Sequence, residues 1–127
     1  MSKRNPILLL NDIIASGEII IEYTKNILVL EDFISDRKTL DAVIRNFEII
    51  GEAANRLPAD FKNKYNSIAW NRIRGFRNRI IHNYFGIDYE IVWRILKYFL
   101  PEMIVELKQI YKSETDNSTS ELDFTSQ

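Results

Sequence analysis

One stripe of apolar residues constrains this chain more than any other feature. Leu40, Val43, Ile44, Phe47, Ile50, Ala54 and Leu57 fall at i, i+3, i+4, i+7, i+10, i+14 and i+17. That spacing gathers them on one side of an α-helix and leaves the opposite side polar. Ser35 or Asp36 is placed to cap the start of this helix, and Pro58 ends it. Such a helix needs partners for its stripe, and the rest of the chain offers helical ones. Residues 6–24 read as a helix with Pro6 at its first position, Ile7, Leu10, Ile14 and Ile21 at turn spacing, and Gly17 as a weak point. Short helices are expected at residues 30–34 and 60–65. Ser67 is placed to cap another, which carries Trp70, Ile73, Phe76, Ile80 and Ile81 up to a break at Gly86. Asp88 then caps the last helix, with Ile91, Val92, Ile95, Phe99, Met103, Leu107 and Ile110 on its buried side and a kink expected at Pro101. There is no internal repeat and no strand-like alternation. The reading is an all-α, up-and-down bundle of about four main helices plus short ones over residues 1–112. Residues 113–127, dominated by Ser, Thr, Asp, Glu and Asn, read as a disordered acidic tail.

Composition narrows the chemistry. There is no cysteine, so a disulfide framework and a zinc–thiolate site are excluded. The one histidine, His82, excludes a histidine-rich metal site within a single chain and leaves only a carboxylate site open; no metal or cofactor is expected. No apolar run reaches the roughly 20 residues that span a bilayer. The run Ile7 to Leu10 behind Lys3 and Arg4 is broken at once by Asn11 and Asp12, which argues against a signal peptide and for a cytoplasmic protein.

The net charge of −1 conceals a sharp asymmetry. Between Asp60 and Asp88 there is no acid, while Lys62, Lys64, Arg72, Arg74, Arg77 and Arg79 bring a charge of +6 and leave −7 elsewhere. A segment like this favours a phosphate-bearing partner. By contrast Asp41, Glu48 and Glu52 on the striped helix read as a solvated or ion-paired face, and Trp70 and Trp93 as core.

The same segment concentrates residues that bind phosphate, move protons and stack on bases: Arg72, Arg74, Arg77, Asn78, Arg79, His82, Asn83 and Tyr84. Asn78 and His82 are four apart and share a face of a regular helix. Arg77 and His82 are five apart, about 140° round such a helix. They converge if the helix loosens near His82, if the long arginine wraps around, or if two copies meet.

The pattern Arg77, four residues, His82, one residue, Tyr84 resembles the motif of HEPN-domain proteins. The blocks Asp36-Arg37-Lys38-Thr39, Ala42-Val43-Ile44-Arg45-Asn46, Ile49-Ile50-Gly51-Glu52-Ala53-Ala54, Ile73-Arg74-Gly75-Phe76-Arg77-Asn78 and Tyr84-Phe85-Gly86 followed by Ile91-Val92-Trp93 are similar to its HepT-like branch, over roughly residues 5–110. The resemblance implies a ribonuclease toxin, usually a homodimer with its cleft at the dimer interface. It also implies a minimal nucleotidyltransferase as antitoxin, able to transfer AMP to Tyr84. Arg77 and His82 would then be the catalytic pair, with Asn78 and Tyr84 supporting them and Arg74 and Arg79 holding RNA. Asn83 stands where the family often has aspartate. Two other classes compete: a non-catalytic module that binds a nucleotide or a nucleotidyltransferase, which has no need of His82, and a plain dimerisation bundle, which leaves the basic segment unexplained.

Overall fold

The computed structural model describes the backbone of residues 5–82 and 86–125, and the side chains of those residues apart from 77, 81, 82 and 117–125. The first helix, α1 (Pro6–Thr24), begins where expected: the Asn5 side chain accepts from the Ile7 amide at 2.8 Å, and Pro6 follows it. A short α2 (Leu30–Ser35) leads to α3 (Arg37–Arg56), the striped helix. Asp36 is its cap, accepting from the Thr39 amide at 3.2 Å. Leu40, Val43, Ile44, Phe47, Ile50, Ala54 and Leu57 are all buried. α1 packs along α3 and against the last helix, so the core lies between these three long elements.

After α4 (Ala59–Lys64) the chain departs from the expected single helix. It forms α5 (Trp70–Arg74) and α6 (Phe76–Ile80), separated at Gly75. Ser67 does not cap α5. The Ile68 amide bonds the Tyr65 carbonyl at 3.2 Å and the Trp70 amide bonds the Ile68 carbonyl at 2.9 Å, so the turn carries Ser67 two residues outside the helix, and Ala69 takes the cap position without a side-chain bond. Trp70 is buried as expected, with its indole N–H on the Tyr65 carbonyl at 3.0 Å. Phe76 anchors α6. Its ring meets Phe47 of α3 edge-on at 5.4 Å and Phe99 at 5.6 Å. Each such pair adds about 0.5–1.5 kcal/mol to the burial of the ring itself.

A small β-hairpin follows, which the sequence pattern did not suggest. β1 (Ile81–His82) pairs antiparallel with β2 (Gly86–Ile87) in the register Ile81 to Ile87 and His82 to Gly86. Gly86 therefore does not end a helix. It has φ +86° at the start of β2, a left-handed conformation that L side chains resist.

Asp88 caps α7 (Tyr89–Arg94) through the Ile91 amide at 3.1 Å. A π turn (Ile95–Phe99) and α8 (Leu100–Thr125) continue the same rod. Pro101 does not break it. Proline has no N–H and crowds the carbonyl four residues back. The irregularity sits just before it, where the Leu100 amide bonds the Ile95 carbonyl five residues away. Trp93 is half-buried against Phe33, with ring centroids 5.3 Å apart. The boundary expected at residue 112 falls inside α8. The apolar stripe stops at Ile110, but Glu114 carries the packing one turn further, accepting from the Tyr65 hydroxyl at 2.5 Å and from Lys64 at 3.0 Å. Among the described residues no helix is long and apolar enough to cross a membrane.

Candidate functional site

The basic segment is split by the fold into pieces with different work. Lys64 belongs to a structural knot. Its hydrogen bond to Glu114 holds its ammonium pKa above the usual lysine value. Burial and then the bond to Glu114 push the Tyr65 phenol up. The hydrogen bond from Tyr65, with that from Lys64, holds the Glu114 carboxyl below the ordinary carboxylate value. Arg72 lays its guanidinium over the Phe99 ring at 4.9 Å. Arg74 and Arg79 are exposed and make no ion pair among the described residues. On α3 the acids behave as a solvated face: Arg37 pairs with Asp41 at 3.3 Å and Arg45 with Glu48 at 3.9 Å.

The backbone of the motif can be followed to His82. Arg74 ends α5. Arg77, Asn78 and Arg79 lie on α6, which closes at Ile80. The Ile80 carbonyl accepts from the Asp88 amide at 2.7 Å, and the chain leaves helical geometry into β1. His82 is therefore a strand residue opposite Gly86. The helical face expected to join Asn78 to His82 is not formed, because their four-residue spacing crosses this boundary. The 140° divergence computed for Arg77 and His82 on a regular helix disappears with the helix. A loosened helix end, one of the three routes to convergence, is present in the backbone. The side chains of Arg77 and His82, and the whole of Tyr84, lie outside the described residues.

A second group of side chains meets this end of the fold from a distance in sequence. Arg94 of α7 and Tyr98 and Phe99 of the π turn face Arg72 and Arg79 across an open groove. Arg94 and Tyr98 drew no attention in the sequence, where the buried stripe of the last helix dominates. The available signal was an arginine and a tyrosine four apart on the polar side of that helix. The hairpin also had a signal: Ile80-Ile81 and Ile87 flanking a short stretch with Asn83 and Gly86.

The all-α bundle that carries this basic segment has a HEPN-like helical fold. Residues 13–110 match the model of the ribonuclease HepT-like family, and the chain belongs to that family. It is 41% identical over 93% of its length to a protein of Methanocaldococcus jannaschii named "Putative RNase", covering 99% of that chain. It is 40% identical over 81% of its length to a Thermococcus cleftensis protein named "Probable ribonuclease HepT", covering 93% of it. A Caldanaerobacter subterraneus relative, also named a putative RNase, is 38% identical over 83% of this chain and 93% of its own. No solved structure gives a significant match.

Proposed function

We propose that this chain is an endoribonuclease that cuts RNA without a metal, using Arg77 and His82 as its catalytic pair. The observation that carries the reading is the helix end at Ile80, which frees His82 from the helical geometry that would hold it away from Arg77, in a chain of the HepT-like family. RNA brings its own nucleophile. The 2′-hydroxyl attacks the adjacent phosphorus, the 5′-oxygen leaves, and the products end in a 2′,3′-cyclic phosphate and a 5′-hydroxyl. Histidine suits the proton transfers near neutral pH. The arginine fork suits the charge that builds on the phosphorane. One chain has one histidine, so a homodimer with its cleft between two copies supplies a base and an acid together. Asn78 and Tyr84 support the pair, and Arg74 and Arg79 hold the RNA.

In this reading the protein is the cytoplasmic toxin of a pair, and a minimal nucleotidyltransferase is its antitoxin. The Tyr84 hydroxyl attacks the α-phosphate of ATP and pyrophosphate leaves. The resulting phosphodiester occupies the RNA phosphate site and repels incoming strands.

The test is incubation of the purified protein with mixed cellular RNA and EDTA, beside Arg77→Ala and His82→Ala variants. Cleavage that survives EDTA, leaves 5′-hydroxyl ends and disappears in both variants is the expected result. Intact RNA with the wild-type protein rejects the ribonuclease and favours a binding module. For regulation, incubation with the nucleotidyltransferase and ATP should raise the mass in AMP steps, and Tyr84→Phe should abolish that rise.

A further inference from the structure

The groove between α5–α6 and the α7–π segment has a volume of about 510 Å³. Arg72, Arg79 and Arg94 line it, Tyr98 and Phe99 supply aromatic surface, and no acidic residue contributes to the lining. The arginines are available. Arg79 is exposed, and its side chain makes neither an ion pair nor a hydrogen bond among the described residues. Arg72 is steadied by its stack on Phe99, and its N–H groups make no hydrogen bond among those residues. Among the described residues the Arg94 guanidinium pairs with Glu90 alone, at 3.3 Å, and both side chains of that pair are about two-thirds exposed. Solvent and salt screen such a pair, so a phosphate displaces it readily.

Tyr98 is the second, independent observation. It is 77% exposed, although its neighbours Ile95 and Leu96 are buried. Its ring is not used by the core, and it stands beside the arginines on the groove wall. An open ring among guanidinium groups matches an unpaired nucleobase flanked by phosphates. The position agrees with this. Arg79 is two residues from Arg77, and the Asp88 amide ties the start of α7 to the last carbonyl of α6 at 2.7 Å. The groove therefore opens beside the helix end at which the motif leaves α6.

We propose that this groove is a strand-binding subsite for single-stranded RNA, with one base stacked on Tyr98 and the neighbouring phosphates held by Arg72, Arg79 and Arg94. The nature of the ligand rests on the ribonuclease reading above. The subsite adds two residues, Arg94 and Tyr98, that lie outside the motif. It also explains why basic residues of α5 and α6 face an aromatic surface supplied by the last helix.

The experiment is fluorescence anisotropy with a labelled 12-nucleotide single strand of mixed sequence and with the corresponding duplex, in a His82→Ala background that spares the probe. Tyr98→Ala should weaken single-strand binding about tenfold or more, the range expected for one stacked base. Tyr98→Phe keeps the ring and should bind within about twofold of the parent. Arg94→Ala should weaken binding and reduce the slope of log K against log salt by about 0.7, the value for one phosphate contact on a single strand. The duplex should bind less tightly and be indifferent to Tyr98→Ala, because its bases are already stacked. Both side chains are exposed, and circular dichroism of each variant checks that the fold is kept. Parent-like affinity in both Tyr98→Ala and Arg94→Ala overturns the subsite, as does preference for the duplex. The two readings fail separately. Tyr98-dependent binding with no cleavage by the protein carrying His82 rejects the reaction and keeps the groove. Arg77-dependent cleavage with undisturbed binding in the Tyr98 and Arg94 variants rejects the groove and keeps the reaction.

Discussion

Arg74 and Arg79 are exposed, and among the described residues neither guanidinium is committed to an internal partner, so each can attract phosphate. If they hold RNA and do no chemistry, their loss acts on binding. Arg74→Ala and Arg79→Ala should each raise KM and flatten the salt dependence of binding by about 0.7 in slope. Turnover at saturating RNA should remain. Steady-state kinetics over a salt series checks this, and complete loss of turnover at saturation contradicts it. The residue types of the candidate site were legible in the sequence because arginine, histidine and tyrosine have few other reasons to crowd one acid-free segment. Arg94 and Tyr98 were not legible as site residues. A hydrophobic stripe identifies which side chains of a helix are buried, and it is silent on which exposed ones meet another element.

At the scale of the element, the hairpin decides how the motif is presented. Its formation depends on Gly86, whose φ of +86° places it where a β-carbon is resisted, although nothing lies within 4 Å of where that carbon would stand. The cost of a side chain there is therefore conformational alone. Gly86→Ala should lower stability by about 1–2 kcal/mol, and Gly86→Asn by less, because asparagine visits the left-handed region more easily. Urea denaturation measures both. Equal stability of Gly86→Ala and the parent would remove the hairpin requirement. The first two long helices were legible to within a residue or so, and the last was legible at its Asp88 cap but not at its far end, because apolar spacing and caps are local and the helix runs on past its stripe. The division of the segment after Trp70 was not. Its apolar residues keep helical spacing across Gly75 and past Ile80, so the pattern alone continues a helix that the chain does not form.

Across the whole molecule, α8 is fastened at two levels. Midway, Gly17 of α1 lies against it. A β-carbon at Gly17 would collide with the Ile104 Cδ1 and approach its Cγ1 to 2.9 Å. Glycine costs α1 about 0.5–1 kcal/mol of helix propensity, and overpacking here costs about 1–3 kcal/mol. Gly17→Ala should therefore destabilise the fold by about 1 kcal/mol, and Ile104→Val in the same chain should recover part of that, a coupling that a double-mutant cycle in urea measures. Near its end, α8 is held by Glu114, which is 17% exposed. Because the folded carboxyl titrates below its ordinary 4.5, the stabilisation is complete above that pH and is lost as acid protonates the folded group. The Tyr65 phenol and the Lys64 ammonium are raised above 10.0 and 10.5, so their contribution is complete below about pH 10 and is lost as base removes their protons. The gap in thermal midpoint between the parent and Glu114→Gln should be widest between about pH 5 and 10 and should shrink below pH 4.5. A gap that does not narrow as the pH falls below 4.5 contradicts this.

By itself the sequence determined the helical class, the register of the buried stripe on α3, the cap at Asp88, the acid-free basic segment and the family to which the motif blocks point. All of these are written in short-range spacing, where neighbouring residues share a helix face or a charge. The tertiary structure alone decided that the motif crosses from α6 into a hairpin, that the helix before it divides at Gly75, and that α7 and the π turn bring Arg94 and Tyr98 to Arg72 and Arg79. These outcomes depend on contacts between residues far apart in the chain, such as the Phe47–Phe76–Phe99 ring contacts and the bond from Asp88 to Ile80. Such contacts are set by which elements pack together, and periodicity within any one element does not record them.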